Sequence, residues 1–466
     1  MKSIFETVDN SFSYQFWTEI FPKDPNEILN VVYKGKLIEL NQKSEINEGF
    51  YYLAGDFLYF SDSEYQPVWK KCLLSWKIID PFIEEGLHGV KYGFQIRKGE
   101  QKFDFFTDSS EDLDNWLLHL SKVVIMVEIA DNYEIKGKLG NGRFGSVYLA
   151  TDLDDQTFFA VKSISKSVVL KKNLVHELIN EIEIMRMLDH PKIVKLHKVY
   201  ESETHIHLVI DYMPGGNLLS RLDSLYKFSE KEASALIKDL LGVLNYLSQN
   251  GILHRDIKLE NILLASESSN TDFKLADFGF ACKISEGITQ LCGSPGYMAP
   301  EMLKKQAYGG KVDIFSTGVL LFILLTGKAP FLCKSLRHTL AKNRECIFHF
   351  SHKHWKHISN QAINLVSGLL QANPLERLSL RQALCHDWFS MQANTKGRNS
   401  KHNEKVKTVV KNIKEIAKED VLAHQNKFYF KKNSEIIENN CAIASIADEM
   451  SNNDEDLTQK TTRIML

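Results

Sequence analysis

The segment His254-Arg255-Asp256-Ile257-Lys258-Leu259-Glu260-Asn261, followed shortly by Asp277-Phe278-Gly279, constrains this chain more than any other feature. It gathers a carboxylate, a cation, a carboxamide and a second carboxylate into one short stretch. Moving a phosphoryl group needs little covalent help; it needs positioning, charge neutralisation and an acceptor for a hydroxyl proton. Asp256 suits the last role and Lys258 the γ-phosphate. Asn261 and Asp277 offer the hard oxygens that Mg2+ prefers.

Upstream, Gly140-Asn141-Gly142-Arg143-Phe144-Gly145-Ser146-Val147 is a G-x-G-x-x-G run. A dinucleotide-binding version would follow a strand and open a helix. Here the run leads into Ser146–Ala150, a turn over 152–156 and another β-prone stretch, so the order is strand, glycine turn, strand, strand. Glycines let a backbone lie close over phosphate oxygens, where side chains would clash. The third strand carries Phe159-Ala160-Val161-Lys162 and sets one cation beneath the flap. A helical pattern over 174–188 follows, with Asn180-Glu181-Ile182-Glu183 inside it. A carboxylate on its inner face would hold Lys162 rigid. Glu177 and Glu183 compete for that role with Glu181, which is favoured because it lies nine residues before His190-Pro191 and because Met185 continues its face inward.

Taken in order, these segments resemble the eukaryotic protein kinases: glycine loop, third-strand lysine, helix glutamate, H-R-D-x-x-x-x-N loop and D-F-G. The resemblance continues through Ala299-Pro300-Glu301, with Arg377 as its buried ion-pair partner and Asp313 as the anchor of the catalytic loop, and covers residues 133–389. It implies an α+β, bilobal fold with a small β-rich lobe and a large helical lobe. It also implies ATP and Mg2+ as cofactors and Ser/Thr hydroxyls of protein substrates as acceptors. The implied catalytic set is Lys162, Glu181, Asp256, Lys258, Asn261 and Asp277, with Asn261 and Asp277 as metal ligands. For the nucleotide it implies the loop Gly140, Asn141, Gly142, Arg143, Phe144 and Gly145 over the phosphates. Leu139, Val147, Ala160 and Leu263 would enclose the ring, and the backbone of Asp211 and Met213 would meet its edge. Ile210 would gate the back pocket, and His254, Phe278, Met185 and Leu196 would stack as a hydrophobic spine. Lys258 together with Gly293-Ser294-Pro295-Gly296-Tyr297 is similar to the serine/threonine class, and the stretch up to Glu301 leans toward the calcium/calmodulin-dependent-kinase-like branch. The alternative is a nucleotide-binding pseudokinase scaffold; such chains usually lack one of Lys162, Glu181, Asp256, Asn261 and Asp277.

Some positions depart from that pattern. Asn217, in the nucleotide set, stands where many basophilic relatives carry a glutamate for ribose and substrate arginine, and Ile323 stands where some place another acidic contact. Glu260 is retained, so weak basic selectivity is expected. The position of the usual activating phosphothreonine is Gln290, with Thr289 beside it. Either Thr289 is modified after a one-residue shift, or Gln290 bonds Arg255 without phosphate. Leu259 replaces a proline in the catalytic loop with little expected consequence.

The flanks read differently. Residues 30–125 alternate β-rich runs (36–40, 50–53, 57–60, 72–78, 92–97, 102–106) with turn residues. A capping box at Asp108-Ser-Ser-Glu111 then opens a helix carrying Leu113, Trp116, Leu117, Leu120 and Val124. A small β-barrel or sandwich closed by one helix is expected, and it resembles a pleckstrin-homology domain. Phosphoinositide binding through Lys34, Lys36 and Lys43 is the lesser expectation, because the second strand begins Asn47-Glu48-Gly49-Phe50; a protein-docking or autoinhibitory role is the greater. Residues 390–466 read as a mobile tail, with 11 Lys/Arg against 4 Asp/Glu over 391–433 and 2 against 7 over 434–466. Within it, 405–422 forms a basic amphipathic stripe that could meet calmodulin, an acidic membrane or the chain itself. A net charge of −2 argues against a nucleic-acid partner. Seven cysteines without a Cys-x-x-Cys pair argue against a disulfide framework or zinc site. With no secretory leader and no apolar run longer than 319–325, a cytoplasmic protein, at most peripheral to a membrane, is expected.

Overall fold

The computed structural model describes residues 3–5, 16–86, 89–142 and 145–393. They divide into two compact units: the described residues up to Ile182 together with Lys195–Tyr212, and Glu183–Val194 together with the described residues from Met213 onward.

The first unit opens with eight strands: β1 (Thr18–Lys23), β2 (Val31–Asn41), β3 (Ile46–Ala54), β4 (Phe57–Ser61), β5 (Val68–Leu73), β6 (Ile78–Gly86), β7 (Gly89–Lys98) and β8 (Gln101–Thr107). They pair antiparallel in the order β1-β5-β4-β3-β2-β8-β7-β6. The period-two pattern is plain in β5, where Val68, Lys70 and Cys72 are buried and Trp69, Lys71 and Leu73 are less so. The run expected over 72–78 is two strands, because Leu74–Lys77 form a turn closed by the Lys77 N–H on the Leu74 carbonyl at 2.8 Å. Helix α1 (Ser110–Leu120) buries Leu113, Trp116 and Leu120. Its cap is Ser109, whose Oγ accepts from the Asp112 N–H at 3.1 Å and donates to Asp112 Oδ2 at 2.7 Å, one residue along from the expected pair. The helix stops at Leu120, so Val124 is buried in the following turn instead. Lys34 and Lys36 are engaged by Glu64 and Glu48, so two of the three lysines proposed for an anionic ligand already face carboxylates.

The expected barrel is not closed, since among the described residues no pairing joins β1 to β6. The free side of β6 is taken by β9 (Ile125–Met126), which runs parallel to it through Ile78↔Ile125 and Ile79↔Met126. Five further strands follow: β10 (Tyr133–Asn141), β11 (Gly145–Asp152), β12 (Phe158–Ser165), β13 (Leu196–Glu201) and β14 (His205–Asp211), with α2 (Lys166–Lys171) and α3 (Val175–Met187) after β12. Met126 also pairs with Tyr200 of β13, so the order continues β6-β9-β13-β14-β12-β11-β10 and the sheet has 14 strands. One core follows the sheet, from Phe105, Trp116 and Leu120 through Met126 to Tyr200 and Val209.

A buried polar knot joins the N-terminal residues to the same body. Glu201 Oε1 accepts from Lys166 Nζ at 2.8 Å and from the Ile4 N–H at 2.9 Å, and Oε2 accepts from Ser3 Oγ at 2.5 Å. Phe5 stacks on Trp76 with centroids 5.1 Å apart. A buried ion pair is retained only when its remaining lone pairs are also satisfied, which is the case here.

The second unit is mainly helical: α4 (Leu218–Leu225), α5 (Glu230–Gln249), α6 (Pro300–Leu303), α7 (Lys311–Thr326), α8 (Leu336–Arg344), α9 (His352–Trp355), α10 (Asn360–Leu369), α11 (Leu380–Leu384) and α12 (Asp387–Ala393). Four short strands, β15 (Ile252–Leu253), β16 (Ile262–Leu264), β17 (Phe273–Leu275) and β18 (Cys282–Lys283), carry the polar loops. Helix α5 begins with a capping box between Ser229 and Glu232. Helix α7 is buried from Val312 to Thr326, which explains its all-round apolar sequence. Gly318 sits where a Cβ would fall 2.7 Å from Leu369 Cβ, so a small residue sets the approach of α7 and α10. Helix α12 extends to Ala393, past the expected boundary at 389. The remaining tail, with the stripe at 405–422, lies outside the described residues. No helix among the described residues is long and apolar enough to cross a membrane.

Two stability predictions follow from the first unit. Replacing Glu201 by Ala leaves Lys166 buried without its carboxylate and should cost about 3 kcal/mol in urea unfolding; a loss under 1 kcal/mol would remove the knot from the list of stabilising contacts. Burial lowers the His207 imidazole to about 4, with His205 adding to the effect. Between that value and the ordinary one the unfolded chain binds more protons, so stability is lost as pH falls from 6.5 toward 4. His207→Gln should flatten the fall in melting temperature across that interval, and an unchanged slope would contradict the assignment.

Candidate active site

In the first unit, Lys162 lies in the middle of β12, opposite Val147 of β11 and Leu208 of β14. Its Nζ reaches Glu181 Oε1 of α3 at 2.5 Å, with side chains only 9% and 1% exposed. The rivals Glu177 and Glu183 are half-buried; the inward carboxylate is Glu181. The glycine loop is a tight β10–β11 connection in which the Gly142 N–H donates to the Gly145 carbonyl at 2.8 Å. A Cβ on Gly145 would lie 1.8 Å from the Ser163 carbonyl oxygen, so only glycine lets β11 lie against β12 there. At Gly142 the nearest side-chain atom to a Cβ would be Lys162 Cε at 3.7 Å. A Cβ there would meet the lysine in ordinary van der Waals contact. Arg143 and Phe144 lie outside the described residues. Ala160 pairs with Leu149, Gly140 with Val147, and Asn141 with Ser146, while Leu139 is exposed. Asp211 ends β14, its carboxylate accepting from the Lys195 N–H at 2.9 Å and meeting His197 Nε2 at 2.7 Å.

In the second unit, the loop between β15 and β16 is built around Asp313 at the start of α7. The buried Asp313 carboxylate accepts from the backbone N–H groups of His254 at 2.9 Å and Arg255 at 2.8 Å. Burial raises its pKa, with His254 and Arg255 opposing the shift. Arg255 and Asp277 both adopt left-handed backbone, with φ of 66° and 63°. Non-glycine residues hold that conformation only where their surroundings over-determine it. His254 is held as one tautomer, Nδ1 accepting from the Asp256 N–H at 3.2 Å and Nε2 donating to the Ala276 carbonyl at 3.2 Å. Its ring meets Phe278 at 4.9 Å, which brings two of the four expected spine residues together.

Asp256 is the centre of this loop. Oδ2 accepts from Asn261 Nδ2 at 3.0 Å and from Lys258 Nζ at 2.7 Å, and Oδ1 accepts from Ser294 Oγ at 2.8 Å. Lys258 also donates to Ser294 Oγ at 2.7 Å. Burial alone would lower the Lys258 pKa, but Asp256 and Glu260 beside it raise it overall, so the side chain stays a cation. Both Nδ2 hydrogens of Asn261 go to Asp256, one to the backbone carbonyl and one to the carboxylate. Its Oδ1 is the atom left to meet a cation. Asp277 accepts from the Gly279 N–H through Oδ1 at 3.4 Å. Leu263, in β16, is bridged to Asn217 and the Gly215 N–H donates to the Leu264 carbonyl at 3.0 Å.

The Glu301–Arg377 pair has the expected form, bidentate at 2.6 and 2.8 Å and buried. Asn217 caps α4, its Oδ1 accepting from the Ser220 N–H at 2.9 Å, and Ile323 is wholly buried within α7. The sequence reading missed Asn343, which is buried and clamps the 296–298 segment by accepting from the Gly296 N–H at 3.1 Å and donating to the Met298 carbonyl at 2.8 Å. It also missed Tyr308, whose hydroxyl accepts from Arg255 Nη1 at 3.0 Å. Neither sits in a local pattern that would have marked it.

The family model described as the protein kinase domain matches residues 133–389, more than half of the chain. Among curated proteins, the chain is similar to "Probable serine/threonine-protein kinase 2" of Plasmodium falciparum, 34% identical over 342 residues, covering 73% of this chain and 64% of that one. It is 37% identical over 286 residues to "Serine/threonine-protein kinase DCLK3" of Mus musculus, covering 61% of this chain and 36% of that one. It is 37% identical over 268 residues to "Calcium/calmodulin-dependent protein kinase type 1B" of Rattus norvegicus, covering 57% and 77%. The chain thus spans less than two thirds of the length of the first two relatives. With the strand-borne Lys162–Glu181 pair in one unit and the Asp256–Asn261 loop in the other, the chain belongs to the protein kinase family.

Proposed function

We propose that this chain is an ATP-dependent protein serine/threonine kinase that transfers the γ-phosphate to Ser/Thr hydroxyls of protein substrates. The observation that carries this reading is the environment of Asp256, whose Oδ1 already accepts from an aliphatic hydroxyl, Ser294 Oγ, at 2.8 Å. An acceptor serine or threonine presents the same donor. Asp256 therefore orients the attacking hydroxyl and takes up its proton. Lys258, held cationic by Asp256 and Glu260, balances the charge on the transferred group. Lys162, held by Glu181, orients the phosphates of the nucleotide beneath the Gly140–Gly145 turn.

The donor set also fits magnesium, because Asn261 Oδ1 and the Asp277 carboxylate are hard oxygen ligands. Bound there, the ion would supply positive charge against the phosphate oxygens. The names of the matched relatives support the serine/threonine class, and one of them supports a place near the calcium/calmodulin-dependent branch. For the N-terminal strands and α1 we propose a pleckstrin-homology-like module with a docking or regulatory role rather than phosphoinositide binding, given the carboxylates beside Lys34 and Lys36.

Transfer of labelled phosphate from MgATP to a degenerate Ser/Thr peptide library tests the reading. Asp256→Ala should lower kcat about a thousandfold and Lys162→Met about a hundredfold, in each case measured on protein that circular dichroism shows to be folded. Wild-type transfer no higher than an Asp277→Ala blank, with nucleotide still bound, would favour the pseudokinase scaffold. Selectivity gives a second test. Glu260 has its carboxyl raised by burial, and its Oε2 is buried with no hydrogen-bond partner. A substrate arginine would supply that partner. Peptides with arginine before the acceptor should be preferred about tenfold over glutamine analogues, and Glu260→Gln should abolish the preference; equal preference in both proteins would exclude Glu260 from substrate recognition.

A further inference from the structure

The second unit holds a device at Arg255 that the kinase reading does not require. Arg255 precedes Asp256 directly and is buried, yet among the described residues its guanidinium makes no ion pair with a carboxylate. Its guanidinium is nevertheless bonded on two nitrogens. Nε donates to the Phe280 carbonyl at 2.7 Å, three residues after Asp277, and Nη1 donates to Gln290 Oε1 and to Tyr308 OH, each at 3.0 Å. Tyr308 OH in turn donates to the Gln290 carbonyl at 2.6 Å, and the Tyr308 N–H donates to the Ile288 carbonyl at 2.9 Å. The 288–290 segment is thus tied twice to Tyr308 and once to Arg255. Thr289, between the tied residues, is exposed and makes no hydrogen bond among the described residues.

The ties converge on the catalytic loop. The Arg255 N–H is held by Asp313, and its carbonyl lies against Gly293, where a Cβ would come within 2.6 Å of that oxygen. Turning the guanidinium away would release Phe280 behind Asp277 and the 288–293 segment leading to Ser294, which bonds both Asp256 and Lys258. A charged donor makes the stronger class of hydrogen bond even to a neutral acceptor. The amide oxygen of Gln290 can therefore do with one acceptor atom what a phosphate would do with three.

We infer that Gln290 and Tyr308 are positioning residues that hold Arg255, and through it Asp256 and Asp277, in working geometry without phosphorylation of the 277–301 segment. This rests on the kinase reading and adds to it the control of the same site: the active arrangement is built into the chain, and Thr289 is not its switch.

The test uses the full chain, purified and then treated with a protein phosphatase, with mass spectrometry to verify that 277–301 carries no phosphate. Its kcat should stay within twofold of the untreated protein, and Thr289→Ala should do the same. Gln290→Ala should lower kcat tenfold or more while KM for ATP and the melting temperature stay within error. Gln290→Glu, which keeps an acceptor oxygen, should recover most of that loss, and Tyr308→Phe should fall between. A merely structural role would move the melting temperature and would not be rescued by glutamate. A tenfold or greater loss on phosphatase treatment, reproduced by Thr289→Ala, would overturn the inference and leave the kinase reading intact. Full activity in Gln290→Ala would also overturn it. Treated and untreated wild type both at the level of an Asp256→Ala blank would bring down the kinase reading, and this inference with it.

Discussion

Much of the second unit depends on one buried carboxylate. Asp313 lies inside α7, on a helix with almost no solvent contact, and an unpaired charge there would be strongly disfavoured. It is tolerated because two backbone N–H groups, those of His254 and Arg255, are aimed at its two oxygens. The same two bonds hold Arg255 in a left-handed conformation that an arginine would otherwise avoid. That turn delivers Asp256 to Asn261 and Lys258 and sends the Arg255 side chain the other way, to Phe280, Gln290 and Tyr308. The burial of α7, which looks like ordinary core formation, is thus what makes the polar loop rigid.

The first unit obeys a different constraint. Its N-terminal strands cannot complete a closed sheet among themselves, because β6 offers an unpaired side, and an exposed edge invites association. Two residues, Ile125 and Met126, pair with the Ile78–Ile79 end of that edge, and Met126 pairs onward to β13, so one sheet and one core include both the N-terminal module and the strand that bears Lys162. The Glu201 knot reinforces the union by using residues 3–4 and Lys166 as partners of a single buried carboxylate. The module is accordingly part of the body that holds the lysine, not a bead on a linker.

How far this was legible in the sequence depends on the range of the interaction. Strand alternation, the α1 stripe and the loop Asp256–Asn261 are local, and all were readable within a few residues, although the α1 cap was displaced by one position. The pairing of Lys162 with Glu181 needed a choice among three carboxylates; the sequence favoured Glu181, and the structure places that one against Lys162. The two-residue β9, the open edge of β6 and strand β1 left no trace, since a strand so short has no period to detect and an edge is defined by what pairs with it. Ile323, noted as an apolar residue where some relatives carry an acidic contact, is buried within α7, which its neighbours in the chain alone do not decide.

The sequence by itself determined which groups are available for the proposed chemistry: phosphoryl transfer demands particular donors and acceptors at close spacing, and residues of those types stand here in that order. Only the tertiary structure decided how the groups are held. Asn343 reaches Gly296 across 47 positions and Tyr308 reaches Arg255 across 53, through long-range hydrogen bonds that no composition or periodicity records. Such bonds depend on where the backbone brings two distant segments together, and that is settled by packing of the whole unit rather than by any stretch of it.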